Sequence, residues 1–104
     1  MTRGSILHYV VGTRRARVVV VTADRYNPTR GLFAPLRERP VPTDAMPAFL
    51  VPLDREDWPA GAVIDLSRTR RIDPGAVMGP AGQLTPTMLG VLSTAVRTYF
   101  GAND

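Results

Sequence analysis

The sequence contains no cysteine and no lysine, and its only histidine is His8. Without cysteine, the chain can form no disulfide, thiolate metal site or cysteine nucleophile. A single histidine excludes a histidine-rich metal centre. No apolar run approaches the roughly 20 residues of a membrane span, and the first residues lack the long apolar core of a signal peptide. We therefore expect a cytoplasmic protein with no metal, no other cofactor and no membrane partner.

All of the positive charge comes from arginine. The 13 basic residues are all arginines, and they outweigh 9 acidic residues to give a net charge of +4. A GC-rich genome would explain the missing lysine, but it would not explain why arginines occur in two clusters, Arg14, Arg15 and Arg17, then Arg68, Arg70 and Arg71. Guanidinium groups suit bidentate phosphate contacts. The clusters favour an anionic partner such as nucleic acid, with a merely solvated basic surface as the alternative.

A run of four valines at residues 18–21 is the most informative structural signal. Four β-branched residues without polar alternation predict a strand that is buried on both faces. The preceding segment, Ser5–Val11, predicts a first strand, and Gly12-Thr13 predicts a tight turn that joins the two in a hairpin. With 104 residues, of which 44% are hydrophobic, the chain predicts a single domain over residues 1–104.

The rest of the chain predicts short strands followed by one helix. Strands are expected at residues 32–36, 48–51 and 61–66, and Pro35 argues for an edge or a bulge. Turn and loop residues are expected at 24–31 and 37–44, and only a short turn with a brief strand or linker at 73–84. The helix should run over Pro86–Phe100, with Thr85 as its cap, Gly101 at its end and an apolar stripe of Met88, Leu92, Ala95, Val96 and Tyr99. This pattern predicts a mainly β (α+β) fold, a small barrel with a C-terminal amphipathic helix.

Other residues that could carry chemistry have simpler explanations. His8 lies in the middle of a predicted strand, which favours a structural or surface histidine over a catalytic base. The carboxylates around residue 56 match no calcium loop and favour a solvated acidic turn. Trp58 could stack on a base, but packing against the barrel rim is the favoured interpretation.

Four blocks of the sequence carry a family resemblance. They are R-G-S-I at residues 3–6, A-R-V-V-V-V-T-A-D-R-Y-N at 16–27, D-L-S-R-T-R-R-I-D at 65–73, and G-Q-L-T-P-T-M at 82–88 before the helix. They resemble, in the same order, R-G-[ED]-[IV], the R-P-[VL]-[LV]-[VI]-[VI] strand with its following [FY]-N, D-Q-[IVP]-R-T-[IV]-D, and G-x-[LV]-[ST]-x-x-x-[LM]. These are the motifs of the MazF/PemK toxins of type II toxin–antitoxin systems.

The resemblance implies an SH3-like β-barrel of roughly five to seven strands that forms a homodimer. It also implies a metal-independent endoribonuclease that cleaves single-stranded RNA and is blocked by a cognate antitoxin protein. The residues expected to carry catalysis are Arg15, Arg17, Arg37, Asp65 and Ser67. Those expected to bind RNA are Arg14, Tyr26, Asn27, Arg68, Arg70 and Arg71.

The sequence departs from the family pattern at the expected site. The family arginine before the proline aligns with Ala16, which has Arg15 and Arg17 on either side. Arg37 replaces a threonine or serine, Ser67 replaces an acid, and Arg71 replaces a threonine, whereas Arg70 matches the family arginine. Asp65 is the best remaining carboxylate for a base.

Two other functions remain open at this point. One is a non-catalytic protein of the same fold that binds RNA, DNA or a protein partner through its basic face. The other is a gyrase poison of the related CcdB type, which the absence of tryptophan from the helix tip disfavours. Because alternate strand residues share a face, Arg15 and Arg17 should point together, as should Arg68 and Arg70. If the two segments meet, these four guanidinium groups would converge.

Overall fold

The computed structural model describes residues 2–22, 31–37, 50–53 and 62–101. Within them, seven strands precede one α-helix. The strands are β1 (Ser5–Val11), β2 (Arg14–Val20), β3 (Leu32–Arg37), β4 (Leu50–Pro52), β5 (Val63–Asp65), β6 (Arg70–Arg71) and β7 (Val77–Gln83), and the helix is α1 (Pro86–Phe100). Two short 3₁₀ turns, Leu66–Arg68 and Pro74–Ala76, lie between the later strands.

The strands form one antiparallel sheet in the order β4-β5-β3-β2-β1-β7, and β6 also pairs with β3. This mainly β architecture with a C-terminal helix confirms the predicted fold class. The β1–β2 hairpin forms as predicted, through a turn in which Gly12 has a φ of 63°. A glycine with positive φ at the first central position is the requirement of a type II′ turn.

Strand β3 pairs with two different strands on the side away from β2. Its Arg37 end pairs with β5, and its Leu32 end pairs with β6. Between these pairings the chain leaves the ladder to form the Leu66–Arg68 turn. The interruption lies beside Pro35, which pairs with Val18 on the inner side and has no N–H to donate. β3 is therefore an interior strand and not an edge strand. The irregularity expected at Pro35 is the break between β5 and β6, which pair with β3 on the side away from β2.

Strand β2 is buried on both faces, as the valine run predicted. Residues 18–21 are each at most 1% exposed. Val19 and Val21 belong to the larger core cluster, which includes the helix residues Met88, Leu92 and Val96. Val18 and Val20 belong to a second cluster on the opposite face with Leu7, Tyr9, Phe33 and Ile72.

Helix α1 has the predicted boundaries and caps. The Thr85 side chain accepts a hydrogen bond from the Met88 N–H, and Gly101 ends the helix with a φ of 63°. The prediction that Tyr99 continues the apolar stripe was wrong, because its side chain is 41% exposed while the buried stripe ends at Val96. No helix in the described part of the chain has the length and apolar character needed to cross a membrane.

The later strands differ most from the prediction. The strand expected at 61–66 is limited to β5, because Leu66 enters the 3₁₀ turn. Strand β6 and the full length of β7 were not predicted. Strand β7 contains Gly79, Pro80 and Gly82, and it pairs with β1 through a register with two irregularities. The turn at 24–30, the loop at 38–44 and the first half of the strand expected at 48–51 lie outside the described residues.

Candidate active site

The β1–β2 hairpin brings His8 beside two arginines of the first cluster. In the antiparallel register, His8 lies opposite Arg17 and Val10 lies opposite Arg15. Directly opposed residues share one face of a sheet, with Cβ atoms roughly 5 Å apart. His8, Arg15 and Arg17 therefore project from the same face. Farther along the hairpin, that face carries Ile6 and Val19 into the core beneath the helix.

These side chains line an open pocket of about 550 Å³. Its described lining consists of His8, Arg14, Arg15, Ala16, Arg17 and Leu36. Three of these six residues are arginines, and none of the six carries a carboxylate. The volume lies in the range of small-ligand sites, roughly 300–1,000 Å³. The pocket can therefore accept an anionic group the size of a nucleotide.

A second polar cluster is centred on Asp65, which ends β5 and is only 1% exposed. Its Oδ2 lies 3.2 Å from Nη1 of Arg37 and 3.7 Å from Nε of Arg68. Its Oδ1 accepts hydrogen bonds from the backbone N–H and the hydroxyl of Ser67. Buried carboxylates in proteins are stabilised by such pairing. Both carboxylate oxygens are thus occupied, and Asp65 caps the turn while it holds two guanidinium groups.

The pocket and the Asp65 cluster lie next to each other at the end of β3. Leu36 lines the pocket, and the next residue, Arg37, binds Asp65. Because successive strand residues point to opposite faces, the pocket and the Asp65 cluster lie on opposite faces of the end of β3. The Arg37 side chain is 45% exposed, so it can bind Asp65 and still meet solvent or a ligand.

The two arginine clusters do not converge as expected. Arg68 reaches Asp65 from the 3₁₀ turn, whereas Arg70 and Arg71 pair with Phe33 and Leu32 at the far end of β3. That end is four residues from Leu36, a distance of roughly 13 Å at 3.3 Å per residue. The register also places Arg70 on the face of Val20, opposite to that of Arg17.

The expectation that Arg68 and Arg70 share a side rested on a premise that the structure contradicts. It assumed a continuous strand, but Arg68 belongs to the Leu66–Arg68 turn and Arg70 belongs to β6. The alternation of side chains in a strand does not continue across a helical turn. Of the second arginine cluster, only Arg68 therefore lies with Asp65 and Arg37 at the Arg37 end of β3.

Not every residue proposed from the sequence can be placed. Tyr26 and Asn27, expected to bind RNA, lie outside the described residues, as does Trp58. Over residues 2–22, 31–37, 50–53 and 62–101, no three histidine or acidic side chains come together as metal ligands would.

The sequence interpretation missed the position of His8. The signal was present in the predicted hairpin. A two-residue turn at Gly12-Thr13 pairs Val11 with Arg14, and the same register then sets His8 opposite Arg17.

Comparison with known proteins gives its evidence at the level of structure. No protein-family model and no curated protein sequence matches the chain. Among solved structures, an endoribonuclease in complex with its cognate antitoxin, from a mycobacterial species, superposes with a TM-score of 0.77. It is 16% identical, and the match covers 100% of this chain and 96% of that one.

A second structure, the Mycobacterium tuberculosis toxin MazF-mt6, gives a TM-score of 0.73 at 19% identity. That match covers 96% of this chain and 99% of the toxin. Both matches extend over nearly the full length of the two compared chains, so they include the sheet and the helix together. The chain therefore has a MazF-like fold.

Proposed function

We propose that this protein is the toxin of a type II toxin–antitoxin system, and that it cleaves single-stranded RNA without a metal ion. The observation that carries the proposal is the pocket with Arg14, Arg15 and Arg17 on a MazF-like fold. The two structural neighbours, one described as an endoribonuclease and the other as a MazF toxin, support the same activity. The family resemblance also implies messenger RNA as the substrate, and we therefore place the protein in the cytoplasm.

The chemistry requires little beyond what arginines supply. RNA carries its own nucleophile, the ribose 2′-hydroxyl, which attacks the adjacent phosphorus and expels the 5′-oxygen. The products are a 2′,3′-cyclic phosphate and a 5′-hydroxyl. Negative charge accumulates on the phosphoryl oxygens in the transition state, and fixed cationic donors stabilise that charge. Guanidinium groups provide planar, permanently charged donors for this purpose.

The structure suggests different tasks for the arginines. Arg15 and Arg17 share one face of the pocket and would contact the scissile phosphate. Arg37, held by Asp65 at the end of β3, would contact the next phosphate along the RNA. Arg14, also in the pocket lining, would add charge for binding. Asp65 and Ser67 would act through Arg37 and Arg68, as positioning residues.

An acidic protein partner and a second copy of the chain complete the proposal. One structural neighbour was solved with its cognate antitoxin, which supports an antitoxin for this chain. A partner rich in carboxylates would compete with RNA for the arginines that line the pocket. The homodimer is the assembly implied by the family resemblance, and light scattering after size-exclusion chromatography would measure it.

The direct test is a cleavage assay with purified protein and a 5′-labelled single-stranded RNA in excess EDTA. We expect discrete fragments that end in 2′,3′-cyclic phosphate, and no cleavage of the matching DNA. RNA that stays intact, in EDTA and with added Mg²⁺ alike, would contradict the proposal. Binding that weakens with salt but yields no fragments would instead indicate a non-catalytic nucleic-acid binder.

A further inference from the structure

We propose that His8 is a catalytic residue of the arginine pocket, where its neutral imidazole removes the proton from the ribose 2′-hydroxyl. This inference rests on the proposed endoribonuclease function and adds the proton acceptor that the arginines do not provide. It also reverses the interpretation of His8 as a structural or surface histidine.

The position of His8 is the first argument. Its side chain is exposed, lines the 550 Å³ pocket and lies directly opposite Arg17. A ribose next to a phosphate held by Arg15 and Arg17 would therefore lie within reach of the imidazole. General bases act from hydrogen-bonding distance, so this proximity is the first requirement of the role.

The surroundings of His8 on each neighbouring strand are the second argument. Strand β2 presents Arg14, Arg15 and Arg17, while β3 contributes the apolar Leu36. On the other side His8 pairs with Gly79 of β7, and the segment Val77–Gln83 has no ionisable side chain. Among the described residues that line the pocket, His8 is therefore the one ionisable side chain that is not an arginine.

The other candidates for a base are poorly suited. Arginine is a very weak acid that keeps its proton at neutral pH, so it cannot readily accept another. Asp65 is buried, and it already pairs with Arg37, Arg68 and Ser67. Imidazole is the side chain that ordinarily changes charge between roughly pH 5 and 8. Among the described residues that line the pocket, only His8 can accept a proton readily.

The step balances without another reactant. The 2′-hydroxyl proton passes to an imidazole nitrogen as the bond between the 2′-oxygen and phosphorus forms. The bond between phosphorus and the 5′-oxygen breaks, and water supplies the proton that the departing oxygen needs. The imidazolium then returns its proton to solvent before the next cycle.

The experiment compares the wild type with His8→Gln and His8→Ala under single-turnover conditions in EDTA. We expect cleavage to slow by about 10²- to 10⁴-fold, the usual contribution of general acid–base catalysis. Binding of RNA with 2′-O-methyl groups should change less than about threefold, because the phosphate contacts remain. Added imidazole should restore part of the activity of His8→Ala. Gln83→Ala, an exposed polar change elsewhere on β7, is the control and should leave cleavage unchanged.

A pH profile separates catalysis from support of the fold. A general base must be neutral to accept a proton, so the wild-type rate should rise with pH and then level off. His8→Gln should lose this rise while keeping the wild-type circular dichroism spectrum. Cleavage by His8→Gln within about threefold of wild type, or an unchanged pH profile, would overturn the role of His8 and leave the endoribonuclease proposal standing. If the wild type itself fails to cut RNA, both proposals fall.

Discussion

Arg37 donates a hydrogen bond from Nη1 to Oδ2 of Asp65 over 3.2 Å. The bond lies at the end of β3, next to the 3₁₀ turn that separates β5 from β6. The same carboxylate caps that turn through Ser67. One buried acid therefore fixes both the backbone beside Pro35 and the direction of a guanidinium group. This link between the fold and the proposed site allows the two contributions of Asp65 to be measured separately.

Asp65→Ala should destabilise the protein, and Asp65→Asn should destabilise it less. Alanine removes the cap and the charged partner of Arg37, and hydrogen bonds to charged groups contribute about 1.5–3 kcal/mol. Asparagine retains an oxygen that can accept from the Ser67 N–H. Chemical denaturation would measure the free energy of unfolding. Equal stability of all three proteins would show that the cluster does not support the fold.

Arg17→Ala should impair cleavage far more than Arg97→Ala, a change in an exposed arginine of the last helical turn. Loss of one donor to the transition state typically slows catalysis by about 10²- to 10³-fold. Loss of one phosphate contact should also reduce the slope of log affinity against log salt by about 0.7. Single-turnover kinetics and fluorescence anisotropy would measure these changes. Equal activity of the two variants would remove Arg17 from the site.

The double substitution of Arg70 and Arg71 by alanine should leave the single-turnover rate at saturating RNA within about threefold of wild type. These residues pair with Leu32 and Phe33, away from the pocket. RNA affinity at low salt should fall slightly through the loss of long-range attraction, and the effect should vanish near 0.5 M salt, where the Debye length is only about 4 Å. A 100-fold loss of rate would instead require RNA to reach both ends of β3.

The parts of the fold that sequence predicts well are those governed by local rules. Residues 18–21 are valines that only a doubly covered strand accommodates, and Thr85 with Pro86 defines a helix start in any context. Strand β7 could not be predicted in this way. Gly79, Pro80 and Gly82 disfavour a strand locally, but at the edge of the sheet β1 supplies the pairing and the irregular register accepts Pro80.

The candidate site divides in the same way. The position of Arg15 and Arg17 on one face of β2 follows from strand alternation, and the sequence predicts it. The separation of Arg68 from Arg70 depends on where the chain leaves the ladder beside Pro35. That choice is made by the pairing of β5 and β6 with β3, which depends on residues far apart in sequence.

Gly4→Ala and Gly90→Ala should change stability in opposite directions. Gly4 has a φ of 89°, and a Cβ there would lie 2.9 Å from Cδ1 of Leu89. The backbone of Gly4 also donates to the Val20 carbonyl and accepts from the Leu84 N–H, so it joins β1 to β2 and to the segment before the helix. Alanine in this conformation should cost about 1–3 kcal/mol.

Gly90 is the matched control, because it lies within α1 and a Cβ there would meet no atom within 4 Å. Alanine should stabilise the helix by roughly 0.5–1 kcal/mol through its better helix propensity. Thermal unfolding followed by circular dichroism would show a lower Tm for Gly4→Ala and a higher Tm for Gly90→Ala. A Tm for Gly4→Ala equal to or above that of the wild type would mean that Gly4 tolerates a side chain, and the R-G block at the start of the chain would then need an explanation other than backbone conformation.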